Sequence, residues 1–185
     1  MSKNSITYGV VTSDKELEQI LKLQKENLFA NVSDIERAAE GFVTVSHSFA
    51  ILKQMNTACP HIIAKVNDEV VGYALCMLKK FKEDVPLLKP MFDYLNSILE
   101  VNNLSDLRVI VMGQICIDKA YRKQGLFKGL YKKMASELKP NFDIVITEVN
   151  TKNTRSSAAH QSVGFEILDI HSAHGEDWEL IVLKL

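Results

Sequence analysis

The sequence predicts an α/β fold in which helices flank a mixed β-sheet. The main observation is a strand–helix–strand succession: an apolar strand over 108–117, a helix ending near Pro140, and an apolar strand over 142–150. Apolar strands joined by a helix are typical of parallel pairs with a right-handed connection. Two further apolar runs, 62–66 and 70–78, are separated by a short polar turn and predict an antiparallel hairpin.

The N-terminal elements follow from helix caps and apolar spacing. A strand is expected over 6–11. Ser13 and Glu16 match a capping box, in which each residue satisfies a backbone donor at the start of a helix. The helix that follows has an apolar stripe made of Leu17, Ile20, Leu21 and Leu28. The next signals are a second capping box over 33–36, a helix end at Gly41, an extended segment over 42–45 and a helix over 48–56.

Residues 80–106 contain an additional predicted helix between the hairpin and the strand at 108. Its apolar residues recur at helical spacing, which favours a face packed on the core: Leu88, Met91, Phe92, Leu95, Ile98 and Leu99. The chain is then expected to end with strands over 166–170 and 178–185, joined by a polar loop that contains His171 and His174. The His-x-x-His spacing alone is a weak metal signal, so no metal site is predicted.

A basic glycine loop between the strand at 108–117 and its helix predicts an anion site. The first N–H groups of a helix lack partners and carry partial positive charge, which favours a phosphate. No Ser, Thr, Asp or Asn stands at the expected cap position. Gly125 lets a ligand approach the backbone, and Arg122, Lys123 and Lys128 add positive charge. The expected guest is a pyrophosphate.

This loop resembles the acyl-CoA-binding motif of the GNAT N-acetyltransferases, written Arg/Gln-x-x-Gly-x-Gly/Ala. Residues 122–127 fit it except at Phe127, which replaces a small residue. The stretch Asn153 to Phe165 is similar to the second motif of that family, with His160 where a Tyr is usual. The resemblance implies a central mixed sheet of about seven strands flanked by helices. The helix within 80–106 would be an insertion between the third and fourth strands, which the shortest version of that fold joins by a tight turn.

The resemblance also implies acetyl-CoA as cosubstrate and a small-molecule or peptide amine as acceptor. The backbone of the strand would hold the pantetheine arm, with an N–H near Ile117 polarising the thioester carbonyl. The loop would hold the pyrophosphate, and Asn153 and Ser156 would lie along the arm or the nucleotide. The implied cofactor residues are Ile115, Cys116, Ile117, Arg122, Lys123, Gln124, Gly125, Leu126, Phe127, Lys128, Asn153 and Ser156.

Two residues are candidates for acid–base chemistry. His160 could protonate the departing thiolate because an imidazole titrates near neutral pH, or it could simply bond a carbonyl. Glu148 interrupts an apolar strand where the parallel strands part in the resembled fold, so burial could make it a base; a surface ion pair is the alternative. Gln114 would orient an acceptor or satisfy nearby backbone. Placement alone suggests an acceptor pocket lined by Phe42, Val45, Tyr73, Phe92 and Tyr94.

Two other functions stay open at this point. Cys76 or Cys116 could act as a nucleophile activated by His160, although neither has a local nucleophile signature. The departures at Phe127 and His160 leave room for a non-catalytic CoA-binding module. Within the loop, Gly125 is expected to tolerate substitution less well than Gly129.

Composition places limits on partners and location. The formal charge of −1 and pI of about 6.5 give no case for nucleic acid binding. No apolar stretch approaches the length of a membrane span, and the odd number of cysteines suits a reducing compartment, so a cytoplasmic protein is expected. The length fits one domain over residues 1–185. The apolar last strand would form a homodimer through its edge or be covered within the monomer.

Overall fold

The computed structural model describes residues 5–35 and 42–185. Seven strands form one mixed sheet in the order β1-β2-β3-β4-β5-β7-β6. Their bounds are Ile6–Val10 (β1), Ile62–Val66 (β2), Glu69–Met77 (β3), Val109–Ile117 (β4), Ile144–Asn150 (β5), Glu166–Ala173 (β6) and Glu176–Lys184 (β7). The helices are Asp14–Asn27 (α1), Phe49–Ala58 (α2), Lys89–Val101 (α3), Leu126–Leu138 (α4) and Thr154–Gln161 (α5). The predicted α/β class and mixed sheet are confirmed.

Most helix and strand predictions hold to within a few residues. The Ser13–Glu16 capping box is present at the start of α1, with both of its hydrogen bonds. The additional helix between β3 and β4 is α3. The short helix predicted from the second capping box to Gly41 falls on 36–41, which lies outside the described residues.

The central feature of the sheet is that β4 and β5 separate. They pair in parallel at Val109–Val111 against Ile144–Ile146. Beyond that point β4 stays paired with β3 as far as Ile117, while β5 stays paired with β7 as far as Asn150. The two neighbours therefore part after Val111 and Ile146, and a gap opens in the middle of the sheet.

Helices cover both faces of the sheet around this gap. Helix α4 packs on one face through the predicted stripe of Leu126, Leu130, Met134 and Leu138. Helix α3 packs on the other face, and its Met91, Phe92, Leu95, Ile98 and Leu99 are buried in a cluster with Ile144 and Ile146 of β5. The apolar stripe of the additional helix is thus core, as its spacing indicates.

The C-terminal hairpin differs from the prediction. A polar loop containing His171 and His174 was expected, but β6 runs on to Ala173 and β7 begins at Glu176. His174 and Gly175 both have positive φ, at 54° and 77°, so a two-residue turn closes the hairpin. His171 is therefore a strand residue. Of the two alternatives for the last strand, the structure shows the second, because β7 lies between β5 and β6 and is covered within the monomer.

Gly129 of α4 packs closely against Tyr8 of β1, a contact that no local sequence pattern indicates. A Cβ at this position would lie 2.1 Å from Tyr8 Cζ. A Cβ at Gly125 would meet nothing within 4 Å, although its φ of +80° strains any other residue. Both glycines are therefore constrained, Gly129 by the space beside it and Gly125 by its backbone conformation, and the expectation that Gly125 tolerates substitution less well stays a prediction.

We predict that Gly129→Ala destabilises the protein by about 1–3 kcal/mol, because the Tyr8 ring must move. Gly9→Ala on β1 is the matched control, since its Cβ would meet nothing within 4 Å. Urea unfolding measures both. In a double-mutant cycle, Tyr8→Ala should remove most of the cost of Gly129→Ala. Full cost in the Tyr8→Ala background would show that this contact is not the cause.

Candidate active site

The glycine loop opens a cleft at the gap between β4 and β5. Gly125 is the N-terminal cap of α4, with φ of 80° and no side-chain hydrogen bond to the helix. The cleft has a volume of about 230 Å³. It is lined by ten of the predicted cofactor residues: Ile115, Cys116, Ile117, Arg122, Lys123, Gly125, Leu126, Phe127, Asn153 and Ser156. The motif residues are thus brought together by the fold.

The cleft also has walls that the sequence analysis missed. Arg155 and Ala159 line it from the same turns of α5 that carry Asn153 and Ser156, so the motif could have indicated them. Asn27 and the segment 42–43 come from far away in the chain and had no local signal. Two predicted residues, Gln124 and Lys128, are not among the lining residues; Gln124 Nε2 donates to the carbonyl of Ala120 at 2.9 Å.

Arg122 joins the loop to two other elements. Its Nε donates to the carbonyl of Ile117 at 3.1 Å, and its Nη2 donates to Asn27 Oδ1 at 2.7 Å. The first contact fixes the loop to the end of β4 and the second to the end of α1. The guanidinium therefore shapes the wall of the cleft as well as carrying charge beside it.

The backbone N–H and C=O groups of every second residue at the end of β4 point into the gap. Asp118 N–H donates to Val71 O of β3 at 2.9 Å, so residues one step away point in the opposite direction. The Ile117 carbonyl points away from β3 as this alternation requires, because it accepts a hydrogen bond from Arg122. Pairing stays regular from Ile117 to Ile115. The N–H groups of Ile115 and Ile117 thus face the space that β5 has left.

A second, smaller cavity of about 50 Å³ lies further back along β4. It is lined by Val111, Met112 and Gly113 of β4 and by Thr147 and Glu148 of β5. The segment 42–45 contributes to both cavities, with residues 42–43 on the cleft and 44–45 on the smaller cavity. The other walls of the smaller cavity are mainly apolar and come from α3, the turn before α3 and the C-terminal hairpin: Leu87, Leu88, Pro90, Met91, Ala173, His174 and Trp178.

Glu148 is the buried acidic residue of this cavity. Its side chain is 10% exposed, and Oε1 has no hydrogen-bond partner within the described residues. Burial raises the pKa of Glu148 to about 8. His171 Nε2 lies 2.9 Å from Oε1, in contact but without hydrogen-bond alignment. The expected alternative, a surface ion pair with Lys or Arg, is not what surrounds this carboxyl.

Gln114 belongs to a buried polar network and does not line either cavity. Its Oε1 accepts from Gln24 Nε2 at 2.7 Å and from the Tyr73 hydroxyl at 2.6 Å. Its Nε2 donates to the carbonyl of Val45 at 2.8 Å, and Gln24 also contacts His47. Of its two expected roles, the one that satisfies nearby groups is what the structure shows. The network joins α1 and the 43–47 segment to β4.

Comparison with known proteins identifies the family. The sequence model of the acetyltransferase (GNAT) family matches residues 18–165. The chain belongs to the GNAT acetyltransferase family. A search of curated protein sequences finds no significant match.

Several solved structures share the fold over nearly the whole chain. The ribosomal-protein-S18-alanine N-acetyltransferase from Escherichia coli aligns with TM-score 0.65 and 14% identity, covering 97% of this chain and 94% of its own. yncA from Salmonella typhimurium, a putative acetyltransferase with its cofactor acetyl-CoA, aligns with TM-score 0.62, 14% identity, and coverage of 97% and 94%. The NatC complex bound to Gag peptide and CoA aligns with TM-score 0.64 and 14% identity, covering 98% of this chain and 99% of its own. At these identities the likeness concerns the fold.

The two departures from the GNAT pattern contact each other. Phe127 and His160 have ring centroids 5.0 Å apart at 86°, within a cluster that also includes Tyr131 and Phe165. Edge-to-face packing of this kind stabilises aromatic pairs. The bulky residue of the loop is therefore packed against the imidazole that stands in place of the usual Tyr.

The surroundings of His160 favour its structural role. Its side chain is buried, Nδ1 donates to the carbonyl of Ser156 at 2.8 Å, and Nε2 has no hydrogen-bond partner in the described structure. Burial lowers the pKa of His160 to about 4. A neutral imidazole with its one proton committed to a carbonyl has none to give a thiolate at neutral pH.

The two candidate nucleophiles, Cys76 and Cys116, are both buried. Burial raises the pKa of Cys116 to about 12. A hydrogen bond to Cys59, together with burial, raises the pKa of Cys76 well above its ordinary value, so a thiolate nucleophile is not favoured at either. Among residues 5–35 and 42–185, no group of three metal-ligating side chains is found. The same residues include no helix long and apolar enough to cross a membrane.

We predict that Glu148→Gln stabilises the protein more at about pH 8 than at about pH 5. The native carboxyl keeps its proton up to about 8, whereas the unfolded one releases it near 4.5. The native state therefore binds more protons in this window, and the contribution of Glu148 to stability falls as pH rises through it. Urea unfolding at both pH values measures the effect, with exposed Glu69→Gln as control. An equal change at both pH values would contradict burial of an ionisable Glu148.

Proposed function

We propose that the protein transfers the acetyl group of acetyl-CoA to a primary amine by direct attack in one ternary complex. The observation that carries this proposal is the parting of β4 and β5. It exposes backbone N–H groups of β4 to one cavity and places the buried carboxyl of Glu148 in the adjoining one. Family membership supports acetyl transfer, and the acceptor class is our inference.

The pyrophosphate of acetyl-CoA would bind at the start of α4. Gly125 leaves the first-turn N–H groups without a competing side-chain cap, and the helix dipole favours an anion there. The pantetheine arm would then run from the loop along β4, past Ile117 and on to Ile115, pairing with their outward N–H groups as a strand would. Asn153 and Ser156 flank this path from α5.

The thioester would lie at the Ile115 end of the strand. Ile117 is next to the phosphate loop, whereas Ile115 is nearer to Gly113 and to the cavity of Glu148. We therefore assign the Ile115 N–H as the donor to the developing oxyanion. It lies two residues before Ile117, the position that the sequence indicates. A fixed backbone donor at such a position stabilises the charge that forms during acyl transfer.

Glu148 would serve as the base. Its carboxylate takes one proton from the substrate ammonium, and the neutral nitrogen attacks the thioester carbon. The C–N bond forms and the C–S bond breaks. The nitrogen then loses its second proton to solvent, and the CoA thiolate takes a proton from solvent. A base with a pKa of about 8 is suited to this transfer near neutral pH. The products are an N-acetyl amine and CoA.

The smaller cavity, which Glu148 lines, would be the acceptor cavity. Its lining favours an amine carried on an apolar group. Glu148 supplies the carboxylate that an ammonium requires, and the walls around it are mainly aliphatic or aromatic. Both a small alkylamine and a peptide N-terminus with an apolar first residue have this chemistry.

A single domain over the whole chain and a cytoplasmic location stay predictions from the sequence.

Calorimetric titration tests the cofactor site. We predict about micromolar binding of acetyl-CoA that is lost with an adenine nucleotide lacking the pantetheine arm. Arg122→Ala should weaken binding about tenfold, because it removes a charge and loosens the loop from β4. Arg108→Ala is the matched control, since Arg108 pairs with Asp143 beyond the other end of β4. Unchanged affinity in Arg122→Ala would refute the placement of the phosphates.

Turnover on a panel of apolar amines tests the role of Glu148. We predict that Glu148→Gln lowers kcat by about a hundredfold while the affinity for acetyl-CoA stays unchanged. In the unaltered protein, the rate should rise with pH towards about 8 as the carboxylate forms. Binding of acetyl-CoA without turnover on any amine would instead favour the non-catalytic module.

A further inference from the structure

The additional helix α3 contacts the same buried group as the acceptor cavity. Its Tyr94 packs on His171 of β6, with ring centroids 4.8 Å apart at 40°. The Tyr94 hydroxyl also donates to Asp169 Oδ2 at 2.6 Å, on the same strand. The imidazole is thereby held between α3 and Glu148.

The sheet brings His171 and Glu148 together from strands that are not neighbours. Glu148 pairs with Leu180 of β7, and His171 pairs with Trp178 from the other side of the same strand. Residues two apart along a strand share a face, so both side chains stand on the face that α3 covers. The His171 Nε2 and Glu148 Oε1 atoms are 2.9 Å apart, with side chains 12% and 10% exposed.

Nothing else in the described structure satisfies these atoms. Glu148 Oε1 and both nitrogens of His171 are buried without a hydrogen-bond partner. Unpaired buried polar atoms cost stability, and their presence here calls for a functional reason. A small shift would align an Nε2–H with Oε1, and such a donor stabilises the carboxylate against burial.

We propose that His171 is a positioning residue that donates to Glu148 and favours its carboxylate form over its protonated form, and that α3 fixes His171 in place through Tyr94. This inference rests on the proposed function, in which the Glu148 carboxylate takes the proton of the amine. His171 keeps the same number of protons through the reaction and acts only through Glu148. It also gives the additional helix a role beyond core packing.

The other ionisable groups around the pair are few. Asp169 of β6 opposes the effect of burial on His171, since burial lowers the pKa of His171 and the Asp169 charge raises it. Tyr94 faces His171 from α3, and its own pKa is raised chiefly by the bond to Asp169. His174 in the hairpin turn lines the cavity with Glu148. From β7, the residues paired with the two are apolar Leu180 and Trp178.

The test is the titration of the Glu148 carboxyl by carbon NMR, read together with the pH profile of kcat/KM. In His171→Leu, we expect the Glu148 midpoint and the acidic limb of the profile to move at least about one pH unit upward. The rate at about pH 7 should fall about tenfold and recover in more alkaline solution. His171→Gln keeps an N–H donor and should restore part of both effects. Ile170→Ala, at an exposed neighbour on β6, is the matched control and should leave both unchanged.

An unmoved Glu148 midpoint in both His171 variants would overturn the inference, as would a rate lowered equally at every pH. The NMR titration needs no turnover, which separates this inference from the proposed function. A shifted midpoint in a protein that acetylates no amine would refute the proposed function and leave the control of Glu148 by His171 in place.

Discussion

The parting of β4 and β5 is the constraint on which the rest of the site depends. A sheet normally pairs each inner strand on both edges, and an unpaired buried N–H is costly. Here three residue pairs hold the strands together, and the remaining length of each is paired on one side only. The unpaired edge of β4 is thus available to an extended ligand. The same separation gives Glu148 a position beside the gap instead of within a continuous core.

The N-terminal half maintains this arrangement by contacts to β4. Helix α1 reaches the strand through Gln24, which bonds Gln114, and reaches the loop through Asn27, which accepts from Arg122. The Val45 carbonyl accepts from Gln114 as well, so the segment that lines both cavities is held to the strand between them. The hydrogen bonds of Gln114 are buried, where a low dielectric strengthens them. They explain why residues distant in sequence form one wall.

The sequence was informative where function depends on local order and silent where it depends on tertiary contact. The strand, glycine loop and helix at 108–138 could be predicted from local sequence. A helix that begins at a glycine, without a capping side chain, is recognisable from a few neighbouring residues. The elements around Glu148 could not be predicted in this way, since His171 and Tyr94 approach it from strands and helices far along the chain. The mostly polar run over 171–177 predicts a loop at His171 and does not reveal the two-residue turn at His174 and Gly175. Gly129 shows the same limit, as its neighbour Tyr8 belongs to β1.

Amide hydrogen exchange, resolved by residue with NMR, tests the account most directly. Without ligand, the Ile115 and Ile117 N–H groups should exchange quickly, whereas Cys116, which faces β3, should be protected. Saturating acetyl-CoA should protect Ile115 and Ile117 and leave Cys116 unchanged, because the pantetheine arm takes the place of the missing strand. Protection of Ile115 and Ile117 in the absence of ligand, or no change on adding it, would contradict the claim that the unpaired edge of β4 is the acetyl-CoA site.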